Sequence, residues 1–161
     1  MSVYDKYLRE ASRTFKIADH MVSVTYPLVK DTKLLLAVLE NLNLTLKNSI
    51  AALVYYDRHY KRLPPFQDSF ESQFNVFRAK SVERYKIDKS YITLIQNIES
   101  LIKDHKASPM EFIRKDKFVI CSDNYNIKTF SLENIREYVS KIKEFKDKIC
   151  LIIKENERIS P

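Results

Sequence analysis

The stretch Leu34-Leu-Leu-Ala-Val-Leu-Glu-Asn-Leu-Asn-Leu-Thr-Leu-Lys-Asn-Ser-Ile-Ala-Ala-Leu-Val-Tyr-Tyr56 decides the fold. Apolar side chains recur along it at gaps of three and four, the period of an α-helix. Leu34, Leu35, Leu39, Leu42, Leu46, Ile50, Leu53, Tyr56 and Tyr60 cover most of the circumference, whereas Glu40, Lys47, Arg58 and Lys61 fall on one narrow stripe with Asn43 alongside. A helix wetted on so narrow a strip belongs at the centre of a bundle. Asp31 or Thr32 supplies an N-cap oxygen and Pro64-Pro65 ends the run, so the spacing predicts a helix from about residue 31 to 62, roughly 45 Å long. Glu40, Lys47 and the asparagines at 41, 43 and 48 are expensive in hydrocarbon, so the stretch reads as a buried helix and no membrane partner is expected.

Working outward, the residues before it form a first helix over about Val3 to Val24. Tyr4, Leu8, Ala11, Phe15, Ala18 and Val22 make its core stripe, and Pro27 interrupts the pattern. After Pro65 a third helix carries Phe66, Phe70, Phe74 and Phe77. A fourth starts near Asp88 and buries Ile92, Ile95, Ile98, Leu101 and Ile102, ending around His105. The period then changes from 3.6 to 2: Lys117 to Cys121 and Asn126 to Phe130 alternate like strands around a turn-like Ser122 to Tyr125. Ser131 caps a last helix bearing Ile135, Tyr138, Ile142, Phe145, Ile149 and Ile152. The expected fold is mainly α: a five-helix up-and-down bundle with one short β-hairpin inserted before the last helix. It forms a single helical domain over 1–161, with a four-helix core (1–107), a hairpin segment (108–130) and a C-terminal helix (131–157).

Not one of the 161 residues is glycine. Phosphate-binding glycine loops, dinucleotide turns and nucleophile elbows need backbone at positive φ or in van der Waals contact with a ligand, so these classes are excluded. The histidines, His20, His59 and His105, lie on different helices without partners at ligand spacing, and Cys121 and Cys150 are isolated. No cofactor, metal ion or catalytic residue is therefore assigned. Two reduced thiols, and a first segment already charged at Asp5, Lys6, Arg9, Glu10 and Arg13, lead to an expected cytoplasmic location.

The net charge is +7, and the excess is concentrated in the N-terminal third. Opposite the core stripe of the first helix stand Lys6, Arg9, Arg13, Lys16 and His20, with Asp5, Glu10 and Asp19 flanking rather than interrupting them. Four permanent cations along about 15 Å of one helix face suit a row of phosphates, although a lysine-rich helix exposes such a face without any partner. A second basic group, Arg114, Lys115, Lys117 and Lys128, surrounds the hairpin, where charge also guards a strand edge. Tyr55, Tyr56 and Tyr60 beside Arg58 and Arg62 read either as core or as a surface for stacking bases.

The segments Ala18-Asp-His-Met-Val-Ser-Val-Thr-Tyr-Pro-Leu-Val-Lys-Asp-Thr-Lys-Leu-Leu-Leu36 and His105-Lys-Ala-Ser-Pro-Met-Glu-Phe-Ile-Arg-Lys-Asp-Lys-Phe-Val-Ile120 resemble parts of a small archaeal all-helical family with no assigned activity. The long antiparallel helices also resemble the HEPN class, whose members include ribonucleases and nucleotide-binding partners. HEPN ribonucleases carry an Arg-x(4–6)-His motif near the end of the bundle. Here no histidine follows His105, and the one pair at matching spacing, Arg13 and His20, lies in the first helix. The leading expectation is a non-enzymatic module that binds nucleic acid, RNA in preference, through Lys6, Arg9, Arg13, Lys16, His20, Arg114, Lys115, Lys117 and Lys128. The alternatives are a protein-interaction or homodimerisation module and, third, a divergent HEPN-type ribonuclease.

Overall fold

The computed structural model describes residues 1–31, 33–107, 110–114, 117–121 and 127–159, with side chains described for 1–31, 33–104 and 131–157. The chain is mainly helical. Helix α1 (Val3–His20) passes through a wide π turn (Met21–Thr25) into α2 (Tyr26–Val29), and α3 (Lys33–His59) follows. A third helical stretch consists of α4 (Phe70–Val76), a second π turn (Phe77–Ser81) and α5 (Val82–Arg84). Then come α6 (Ser90–Ala107), strands β1 (Met110–Arg114), β2 (Lys117–Cys121) and β3 (Ile127–Ser131), and α7 (Leu132–Ile159).

Helix α3 is the axis. Its Leu35, Val38, Leu39, Leu42, Leu46, Ile50, Leu53, Val54 and Tyr56 are buried in one core with Phe15 and Ala18 of α1, Phe77, Ile95 and Ile98 of the following helices, and Ile142, Phe145 and Ile149 of α7. The α1–α3 seam holds one polar tie, the hydroxyls of Thr14 and Thr45, 2.9 Å apart and both buried. Tyr4 meets Tyr56 at one end of that seam while Thr14 meets Thr45 further along, so the two helices run antiparallel.

Pro27 does not end the first helix where the sequence placed its boundary. The π turn just before it widens the backbone so that the missing proline N–H and the bulk of its ring are accommodated, and helix resumes with Pro27 in its first turn. The helix stops at Lys30, whose φ of 52° is left-handed and whose N–H reaches the Tyr26 carbonyl at 2.7 Å. Lys61 (φ 56°) and Lys86 (φ 53°) turn two further helix ends. At each, the next N–H closes back five residues, Arg62 to the Asp57 carbonyl and Ile87 to the Val82 carbonyl. These are the corners that glycine usually takes; in a chain without glycine, lysine takes them.

The expected two-stranded hairpin is corrected. The backbone forms a three-stranded antiparallel sheet in the order β1-β2-β3, with Phe112 opposite Val119 and Val119 opposite Thr129. The extra strand, Met110–Arg114, mixes apolar and charged residues too briefly for an alternating pattern to show, and it is strand because β2 offers it an edge. β3 leads directly into α7, where Ser131 caps the helix: its Oγ accepts from the Asn134 N–H at 3.2 Å and the Asn134 side chain accepts from the Ser131 N–H at 3.0 Å.

Candidate nucleic-acid interface

Two contacts fix α7 against α1. The Tyr4 hydroxyl donates to Glu157 Oε1 at 2.8 Å, and the Lys146 ammonium stands 5.3 Å from the Phe15 ring centre. Four and fifteen on α1 thus match 157 and 146 on α7, the same interval on both helices, so the pair runs antiparallel and in step for about 16 Å. Burial of the Tyr4 ring and its bond to Glu157 push its hydroxyl pKa up to about 12, so the bond holds throughout the physiological range.

Alongside these contacts α1 and α7 border a groove of about 830 Å³, lined by Met1, Asp5, Leu8, Arg9, Ser12, Arg13, Lys16, Cys150 and Lys154. Arg9, Arg13, Lys16 and Lys154 are exposed on its rim, while Leu8, Ser12 and the half-buried free thiol of Cys150 lie lower. Asp5 also lines the groove but is committed to the start of α1, where its carboxylate accepts from the Ser2 hydroxyl at 2.6 Å. Among the described residues, Arg9, Lys16 and Lys154 form no ion pair.

Arg13 is different. Its Nε donates to both Glu10 carboxylate oxygens at 3.1 Å and its Nη2 donates to Oε1. The hydrogen bond from Arg13 lowers the Glu10 pKa, and the same bond raises that of Arg13. This corrects the expectation of a stripe free of acids: a flanking residue three positions away reaches across, because i and i+3 are neighbours on a helix surface. A guanidinium held at both carboxylate oxygens is also already presented as it would be to a phosphate.

Of the five residues on the sequence-predicted stripe, the groove gathers Arg9, Arg13 and Lys16. Lys6 and His20 are exposed but do not line it. The Arg13–His20 pair is likewise divided, with Arg13 on the rim held by Glu10 and His20 outside. Lys115 lies outside the described residues, as do the side chains of Arg114, Lys117 and Lys128. The backbone register sets Arg114 opposite Lys117, whereas Lys128 pairs with Ile120, an odd number of steps away, and so falls on the other face of the pleat.

Sequence reasoning missed Lys154. Lys146, Cys150 and Lys154 form an i, i+4 column that periodicity can find, but only tertiary packing turns that column toward α1. The tyrosine and arginine group at the end of α3 is not open for stacking bases. Arg58 lies over the Tyr55 ring (4.5 Å) and the Phe66 ring (4.9 Å), Arg62 over Tyr60 (5.2 Å), and Tyr7 stacks on Tyr55. His59 packs edge-on against Tyr60 at 4.9 Å. Among the described residues no group of three or more His, Cys, Asp or Glu could hold a metal ion, and no helix is long and apolar enough to cross a membrane.

Compared with protein-family models, curated proteins and solved structures, the chain has no significant match.

Proposed function

We propose that this protein is a non-enzymatic nucleic-acid-binding module, RNA in preference, and that its contact surface is the groove between α1 and α7. The observation that carries the reading is the convergence of Arg9, Arg13, Lys16 and Lys154 from two helices on one open groove, where Asp5 is the one acid among the described lining residues. Cations gathered on a concave surface neutralise phosphates and release condensed counterions, which is the main source of sequence-independent affinity. The net charge of +7 adds long-range attraction. Lys6 extends the positive surface along α1, and the exposed imidazole of His20 adds a polar contact at the end of the helix. The test is a fluorescence titration of labelled RNA by the wild type and by an Arg9→Glu, Lys16→Glu, Lys154→Glu variant, with a thermal melt of each. Binding that falls by at least tenfold with little change in melting temperature supports the groove; equal binding removes it.

One observation favours a second reading, self-association. Leu28 is 81% exposed at the tip of α2, with Val29 at 60% and Val24 at 45% beside it. Exposed apolar groups so close together are a signature of contact surfaces. Sedimentation of the wild type and a Leu28→Glu variant decides it: a dimer that dissociates on substitution supports this reading, and a monomer in both cases excludes it.

A further inference from the structure

Resting on the reading of this groove as an RNA site, we infer that it takes a short single-stranded segment, about four nucleotides long, and not a duplex. The groove is built in two levels. Its rim carries Arg9, Arg13, Lys16 and Lys154, while Leu8 and the Cys150 thiol give its lower part an apolar character, with the Ser12 hydroxyl between. A duplex presents phosphates and ribose hydroxyls outward and keeps its bases paired inside. It could satisfy the rim but would leave the apolar floor facing water. A single strand can keep its phosphates on the rim and turn a base or ribose down onto Leu8 and Cys150, filling both levels.

Length follows from the placement of the cations. Arg9, Arg13 and Lys16 lie along about 10 Å of α1 with Lys154 across from them on α7, and four cations neutralise at most four phosphates. Among the described residues no aromatic side chain lines the groove, and the rings near the end of α3 lie under the protein's own arginines, so bases gain no stacking platform there. Affinity then rests on phosphate contacts, which carry no sequence information, and binding is tolerant of sequence. When the strand binds, a phosphate oxygen replaces Glu10 at the Arg13 fork.

The experiment compares four labelled ligands across a salt series: a tetranucleotide RNA, a 16-nucleotide strand, a 16-base-pair duplex and a tetramer whose bases are removed. The tetranucleotide is expected to show log K falling with log[salt] at a slope of about −2 to −3, the single-strand value for three to four phosphates. The 16-nucleotide strand should show no steeper slope at one protein per strand, the duplex should bind at least fivefold more weakly, and the abasic tetramer at least threefold more weakly than the intact one. A duplex that binds as tightly as the single strand, an abasic strand equal to the intact one, or a slope that steepens with length overturns the inference. If Arg9→Glu and Lys154→Glu still weaken binding in that case, the RNA reading stands without it. Failure to bind any of the four, or binding indifferent to those substitutions in variants that melt like the wild type, overturns the RNA reading and the inference together.

Discussion

The arginines at the end of α3 and the cations along α1 meet opposite fates. Arg58, though exposed, lies over the Tyr55 and Phe66 rings; Arg62 is half-buried over Tyr60 and stands 3.9 Å from Asp57, a carboxylate with no exposed surface. Arg9, Lys16 and Lys154 are turned to solvent without an ion-pair partner among the described residues. The difference lies in what surrounds them. The end of α3 supplies aromatic faces and a buried acid that hold a guanidinium, whereas the rim between α1 and α7 supplies a concave wall and little else. Charge of the same sign is thus structural at one place and free to meet a partner at the other.

The sharpest way to break this comparison is at Asp57. It accepts from the Ser81 hydroxyl at 3.2 Å and from the Tyr85 hydroxyl, and it ties the last turn of α3 to the segment ending in α5. Asp57→Ala leaves Ser81, Tyr85 and Arg62 without their shared acceptor and should destabilise the fold by about 3 kcal/mol in urea unfolding. RNA affinity of the folded variant should not change; a loss at the groove would mean that the two regions are coupled. At the groove, the triple charge reversal should do the converse, weakening RNA binding by at least tenfold while the urea midpoint stays near wild type.

A pH series refines the first effect. Desolvation raises the Asp57 pKa above the ordinary carboxylate value, and the Tyr85 and Ser81 hydrogen bonds only partly oppose it. A carboxyl whose folded pKa is raised contributes stability that is fully present below its unfolded pKa and is lost as pH rises through the folded one. The stability advantage of wild type over Asp57→Asn should therefore be greatest at acid pH and shrink as pH rises above the ordinary carboxylate range. An advantage that grows with pH would reverse the assignment of desolvation as the leading cause.

Smaller effects separate the regions further. Lys61 holds a left-handed φ of 56° at the exit of α3, so Lys61→Gly should relieve strain and raise stability by about 0.5–1 kcal/mol in urea unfolding, with RNA affinity unchanged. The smallest expected effect is at Glu10. Because it occupies Arg13, Glu10→Gln should strengthen RNA binding about two- to fivefold at low salt, an effect that fades as salt rises. Weaker binding on that substitution would mean that Glu10 positions Arg13 for the ligand instead of competing with it.

Much of this is legible in the sequence. The central helix follows from the distribution of Leu35 to Tyr56 alone, and so does the core stripe of α1, because a period of 3.6 residues with a narrow polar strip leaves few ways to bury the apolar surface. The helix caps at Asp31, Asp88 and Ser131 were legible for the same local reason: the Lys33, Ser90 and Asn134 N–H groups find an oxygen two or three residues back. Local chemistry did not reveal that helix would resume through Pro27, since the widened turn depends on what the next residues pack against.

What the sequence by itself determined is the mainly helical character, the central place of α3, the exclusion of glycine-dependent sites and the presence of a cationic face on α1. Those properties depend on spacing along one chain segment, and spacing is written in the sequence. Tertiary structure alone decided which cations stand together. Lys154 joins Arg9, Arg13 and Lys16 only because Tyr4 and Phe15 set α7 in step with α1, and Lys6 and His20 fall outside. Convergence of residues distant in sequence depends on how helices register against one another. That register is fixed by side-chain packing over the whole core, which no local pattern encodes.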